Sequence, residues 1–204
     1  MTAPRRSTPR VEPAEPRQVI SDARTIRALA HPLRVTLLEV IRREGEITAT
    51  RAAELLDESP GNMSWHLQTL AKYGFVEESG KGRGRSRPWR VSSNSQRFDT
   101  SMADPESAAA GEALERTVME RNYDRMRDWW SQRPHYPRKW RRAAFVAQSL
   151  TYLTDAELAA ISDEIHAIYS RYPDRTDPEK RPEGALPVHL FAHGHPLPPT
   201  PTGN

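Results

Sequence analysis

The amino-acid sequence predicts an α+β protein: four short helices closed by a β-hairpin, then a long helix, then a small strand-helix-strand unit. Three observations carry that expectation. Apolar residues recur at three- and four-residue spacing from Ile26 to Leu70, with a cap or breaker at each interval. Two β-like runs, Phe75-Val76-Glu77-Glu78 and Pro88-Trp89-Arg90-Val91, flank the glycine-rich tip GKGRGRSR. A further helical stripe runs from about Pro105 to Gln132, and beyond it two apolar runs enclose a capped helix.

The first helix is expected to start near Ile20, with Ser21 or Asp22 as cap, and to pass through Ile26 and Leu29. Pro32 disfavours a helical conformation at His31 and so ends or kinks it there. The second helix places Leu33, Leu37, Leu38 and Ile41 on one face and stops around Gly45. Glu46-Ile47 is a short extended link. Thr48 can cap a third helix, whose Ala52, Ala53, Leu55 and Leu56 suit close packing.

The fourth helix, residues 60–73, follows Ser59 as N-cap, with Pro60 in its first turn and Gly74 as the left-handed residue that ends it. Met63, Leu67 and Leu70 form its apolar stripe. The other face carries Asn62, Ser64, Trp65, Gln68, Thr69 and Lys72, without a carboxylate. A solvated helix face ordinarily mixes both signs of charge, so this one is shaped for a polar, anionic surface. His66 lies beside the stripe and reads as a packed structural residue.

Charge supports that expectation. The chain has 30 Lys and Arg against 27 Asp and Glu, a net +3, yet Ser59 to Phe98 alone holds seven basic and two acidic residues. In the hairpin loop Lys81, Arg83, Arg85 and Arg87 alternate with Gly or Ser, a tip able to meet phosphates or enter a minor groove. A charged loop with no partner is the usual reading of a short basic run. Its place just after a helix of this kind favours a polyanion.

With these elements in order, LAHPLRVTLLEVI, then ITATRAAELLDESPGNMSWHLQTLAKYGFVE, then a basic wing, the chain resembles the ArsR-type winged helix-turn-helix transcriptional regulators over about residues 20–97. Ser59, Ser64, His66, Leu67 and Leu70, with the following Gly-Phe-Val, carry most of the likeness. The resemblance implies a cytoplasmic, dimeric, sequence-specific regulator of transcription, with double-stranded DNA as partner and a repressor as its usual form. Helix 60–73 would read the major groove and wing 77–90 the phosphates or the minor groove. Ser59, Asn62, Ser64, Trp65, Gln68, Thr69, Lys72, Lys81, Arg83, Arg85 and Arg87 are the candidate DNA-binding residues. Gln68 or Asn62 can pair bidentately with adenine, and Trp65 can contact a thymine methyl or a sugar.

Two departures from the family stand out. Its best-known members sense metals through thiolates near the third helix, whereas this chain has no cysteine, which excludes a thiolate sensor and fits a reducing compartment. About a hundred residues also follow the wing. Within them, helix 105–132 carries Met119, Tyr123, Met126 and Trp130 on one stripe, with Leu114 and Val118 on an adjacent one. A helix in this position often forms the dimer contact in the family, so these six residues are the candidate dimer surface.

Residues 138–195 are expected to form a small α+β accessory unit. AAFVAQSLTYL reads as one strand, Thr154 and Glu157 as a capping box for a helix with Leu158, Ile161, Ile165, Ile168 and Tyr172, and GALPVHLFAHG as a second strand. His189, His193 and His195 lie close enough in sequence to bind a divalent metal, but histidines alternating before a proline-rich tail are more often surface residues. Trp129, Trp130, Trp140 and Tyr136 can line an apolar pocket, though core or dimer packing suits them better.

The proline-rich ends, residues 1–19 and 196–204, read as disordered tails. No apolar run spans a bilayer or follows the N-terminal arginines as a signal peptide would. No catalytic constellation or cofactor motif stands out, so neither an enzyme nor a cofactor is expected, and a small-molecule effector has no assigned site. The rival expectation is a winged-helix module for protein or RNA contact without operator-specific binding.

Overall fold

Each helix begins where the sequence supplies a side-chain acceptor. The computed structural model describes residues 18–20, 22–82, 87–92, 96–98, 104–172, 175 and 177–198. Helix α1, Ala23–Leu29, is capped by Asp22, whose carboxylate accepts from Thr25 N–H at 2.8 Å; hydrogen bonds from the Thr25 side chain and then its N–H hold it below the usual carboxylate pKa. Helix α2, Pro32–Glu44, is capped by His31, with Nδ1 accepting from Leu33 N–H at 3.3 Å. Helix α3, Ala49–Leu56, starts at Thr48, and α4, Pro60–Lys72, at Ser59.

The end of α4 explains its glycine. Phe75 N–H donates to Leu70 C=O and Gly74 N–H to Ala71 C=O, both at 2.9 Å, a Schellman closure with Gly74 at φ 75°. A side chain there would be strained. The turn aims the chain into β2, Val76–Glu78, which pairs antiparallel with β3, Trp89–Val91, with Glu77 opposite Arg90. The expected extended link joins this hairpin, since Ile47 and Trp89 exchange backbone hydrogen bonds of 2.9 and 2.8 Å. This is the wing.

The start of the domain differs from expectation. The first helix does not begin at Ile20; Gln18–Ile20 is a strand, β1, paired parallel with β4, Gln96–Phe98. Val19 and Ile20 favour extended backbone, and the helix waits for the acceptor at Asp22.

One apolar core joins these elements. Ile26 of α1, Leu37 and Ile41 of α2, and Met63, Leu67 and Leu70 of α4 are fully buried, with Ala52 and Ala53 letting α3 approach closely. The long helix α5, Pro105–Gln132, is part of the same core. Asp104 caps it, and Ser107, Ala110, Gly111 and Leu114 pack toward α1 and α2. Farther along, Glu39 of α2 accepts from Arg121 Nε at 3.1 Å and also pairs with Arg125. A 3₁₀ turn, Arg133–His135, separates α5 from α6, Arg138–Ala143. The result is an α+β winged helix-turn-helix domain followed by a long helix.

The chain divides into two units, one built on Pro16–Ala144 and the other on Phe145–Pro173 and Val188–Asn204. The second contains α7, Asp155–Tyr169, started by the expected capping box: Thr154 Oγ1 accepts from Glu157 N–H, and the Glu157 carboxylate accepts from Thr154 N–H at 2.8 Å. Neither expected strand beside it forms. Residues 144–153 and 185–194 carry no ladder hydrogen bonds, and Phe145, Val146, Leu150 and Tyr152 are exposed. Their β propensity is real, but a strand needs a neighbouring strand, and none of the described residues supplies one.

Candidate nucleic-acid interface

Helix α4 is divided sharply between two faces. Met63, His66, Leu67 and Leu70 are buried, while Trp65 is 56% exposed and Gln68 and Lys72 are exposed. Asn62, Ser64 and Thr69 are half-buried at the boundary. The structure therefore brings all six expected side chains of this helix to one outer surface, with Ser59 at its N-terminal edge accepting from Asn62 N–H at 3.1 Å.

The polar groups there are already engaged. Asn62 Nδ2 donates to Glu58 Oε2 at 2.9 Å, Gln68 Nε2 to Ser64 Oγ at 3.4 Å, and Thr69 Oγ1 to the carbonyl of Trp65 at 2.9 Å. Helix α4 carries no acid of its own, but Glu58 in the preceding link supplies one. These exposed bonds are exchangeable for bonds to a base edge, because each contributes only about 0.5–1.5 kcal/mol net in water.

The wing cations behave in the same way. Lys81 pairs with Glu46 at 3.0 Å, Arg87 with Glu78 at 2.9 Å, and Arg90 with Glu77 at 2.8 Å. Such exposed pairs are worth about 0–1 kcal/mol, so a phosphate can displace the carboxylate. Arg83 and Arg85 lie outside the described residues.

Several residues that the sequence did not single out belong to this surface. The Arg34 guanidinium of α2 lies 6.0 Å from the Trp65 ring centroid, and Arg24 and Arg27 of α1 line the same cleft. Arg34 sits in the first turn of its helix, where the helix dipole disfavours a cation, and that is the one local signal that could have flagged it. Beneath them, the His31 and His66 rings stand 5.0 Å apart. His66 Nδ1 is buried without a hydrogen bond, and burial followed by the charges of His31 and Arg34 lowers its pKa.

The candidate dimer residues separate into two groups. Tyr123, Met126 and Trp130 are 55%, 50% and 51% exposed, Val118 is exposed and Met119 half-buried. Leu114 does not belong with them. It is buried in the chain's own core, because it falls on the helix face turned toward α1.

Of the C-terminal histidines, His193 stacks with Phe191, and the His193 and His195 rings lie 4.9 Å apart and tilted. Among the described residues no three metal-ligating side chains come together. Trp129 packs against Tyr136 with ring centroids 5.2 Å apart. No helix among the described residues is long and apolar enough to cross a membrane.

No curated protein matches the chain significantly. Residues 29–79, from the end of α1 through β2, match the family model of a helix-turn-helix domain. That domain, with the wing that completes it, supports a DNA-binding regulator in general.

Proposed function

We propose that the chain is a homodimeric, sequence-specific repressor of the ArsR type, without the thiolate metal site. Helix α4 enters the major groove, Asn62 and Gln68 read base edges, and the wing lies on phosphates or in the minor groove. The observation that carries this reading is the outer face of α4, a helix with no acid of its own, which stands clear of the core beside a cationic wing. A B-DNA major groove about 12 Å wide accepts one such helix. Dimerisation is supported by the Met119, Tyr123, Met126 and Trp130 edge, since aromatic and Met side chains are enriched at interfaces.

The test is selection of bound duplexes from a random pool with purified protein, followed by competition with unselected DNA. An enriched two-fold symmetric site, with half-sites about 10–10.5 bp apart or a multiple of that, is the expected result. Exposed Phe145, Val146, Leu150 and Tyr152 favour a second reading, a protein-interaction module. Binding with no preference among duplexes would support that alternative.

A further inference from the structure

Between α1, α2 and α4 the surface holds a cleft of about 340 Å³ lined by Arg24, Arg27, Arg34, Trp65, Thr69 and Tyr73. Its charge is unbalanced. Arg27 pairs with Glu106 at 2.5 Å, but no carboxylate among the described residues pairs with Arg24 or Arg34. Arg34 is half-buried, and its Nε is enclosed without a hydrogen-bond acceptor. A guanidinium with no carboxylate partner and an unused N–H donor is a ready binder of an oxyanion. Arg34 also lies in the first turn of α2, which contains no acid, so the positive end of the helix dipole adds to the field.

Position on α4 identifies the anion. A helix with side chains is about 10–12 Å across and fills a major groove about 12 Å wide, so its flanks face the two sugar-phosphate backbones. Trp65, Thr69 and Tyr73 recur every four residues and form one such flank, with the arginines behind it. The exposed indole offers an apolar plane to a deoxyribose, while the guanidinium can grip two phosphate oxygens at once.

We propose that this cleft is a phosphate seat: Arg24 and Arg34 hold a backbone phosphate of the strand that passes along the Trp65 flank of α4. The seat rests on the DNA-binding reading above. It gives the domain a second line of phosphate binding, which fixes the rotation of α4 in the groove.

The test is a salt titration of the full-length protein on a random-sequence duplex of about 30 bp, using Arg24→Gln, Arg34→Gln and the double variant. Removal of one phosphate-binding group should reduce the slope of log affinity against log salt by about 0.9. The double variant is expected to show that reduction on random and selected duplexes alike, with unchanged circular dichroism. Arg24 is exposed, so Arg24→Gln carries the test should Arg34→Gln fail to fold. Folded variants with the wild-type slope overturn the seat while leaving the DNA-binding reading intact. A wild-type protein with no salt-dependent duplex binding overturns both.

Discussion

His31 and His66 face each other with ring centroids 5.0 Å apart, one capping α2 and the other buried in the inner face of α4. Desolvation lowers the pKa of both, fully for the buried His66 and only in part for His31, whose side chain stays exposed, and the charge of Arg34 acts in the same direction on each. A histidine whose folded pKa lies below its unfolded value of about 6.5 contributes stability that is fully present above pH ~6.5. That stability is lost as pH falls through the folded value. Urea midpoints should therefore drop between about pH 7 and pH 5, and His66→Gln should flatten the drop. A pH profile identical in the variant would mean other groups set it.

The clasp of Arg121 and Arg125 on Glu39 should matter for the docking of α5. Glu39→Gln leaves two cations facing a neutral amide, and is expected to lower unfolding stability by about 1–3 kcal/mol. Hydrogen exchange should quicken first in the α5 turns around Arg121. Urea denaturation of the full chain measures the first effect. Unaltered exchange there would show that the helix is held by its apolar end alone.

Asn62→Ala and Gln68→Ala should relax base preference, each costing about 1–3 kcal/mol on the selected site if the contact is bidentate. The Asn62 change also frees Glu58, leaving a carboxylate without its 2.9 Å partner at the groove edge. Glu58→Gln should accordingly strengthen binding to all duplexes. Fluorescence anisotropy on selected and random DNA separates the two effects, and equal losses on both would deny base reading by Asn62 and Gln68.

Replacing Met126 and Trp130 with glutamate should give a folded monomer with greatly reduced affinity for a two-fold site, because both side chains are half-exposed and neither belongs to the core. Sedimentation beside circular dichroism is the measurement. A double variant that stays dimeric would move the symmetric interface elsewhere, with the exposed segment at Phe145 and Val146 next in line.

What the sequence disclosed follows the range of the interactions. Caps at Thr48, Ser59 and Thr154 were legible because acceptor and donor lie within three residues of each other. The buried stripe of α4 was legible for the same reason. The pairing of Gln18–Ile20 with Gln96–Phe98 was not, since a parallel strand far along the chain leaves no local mark. AAFVAQSLTYL misled because β propensity describes a surface that fits a sheet and cannot supply the sheet. The arginine cleft was hidden too, as it exists only where three helices converge. Asn62 and Glu58, four residues apart, could have been paired from spacing alone.

Attachment of α5 at two levels, apolar from Ser107 to Leu114 and ionic at Arg121 and Arg125, makes this helix a strut. With 28 residues it is about 42 Å long. A helix held at one level can swing; held at two, it transmits torque. Any twist imposed on its outer edge must turn α1 and α2, and with them α4, as one piece. In the proposed dimer, the separation of the two α4 helices would then be a property of the strut's angle, and a signal could alter DNA affinity by rotating that angle without touching DNA.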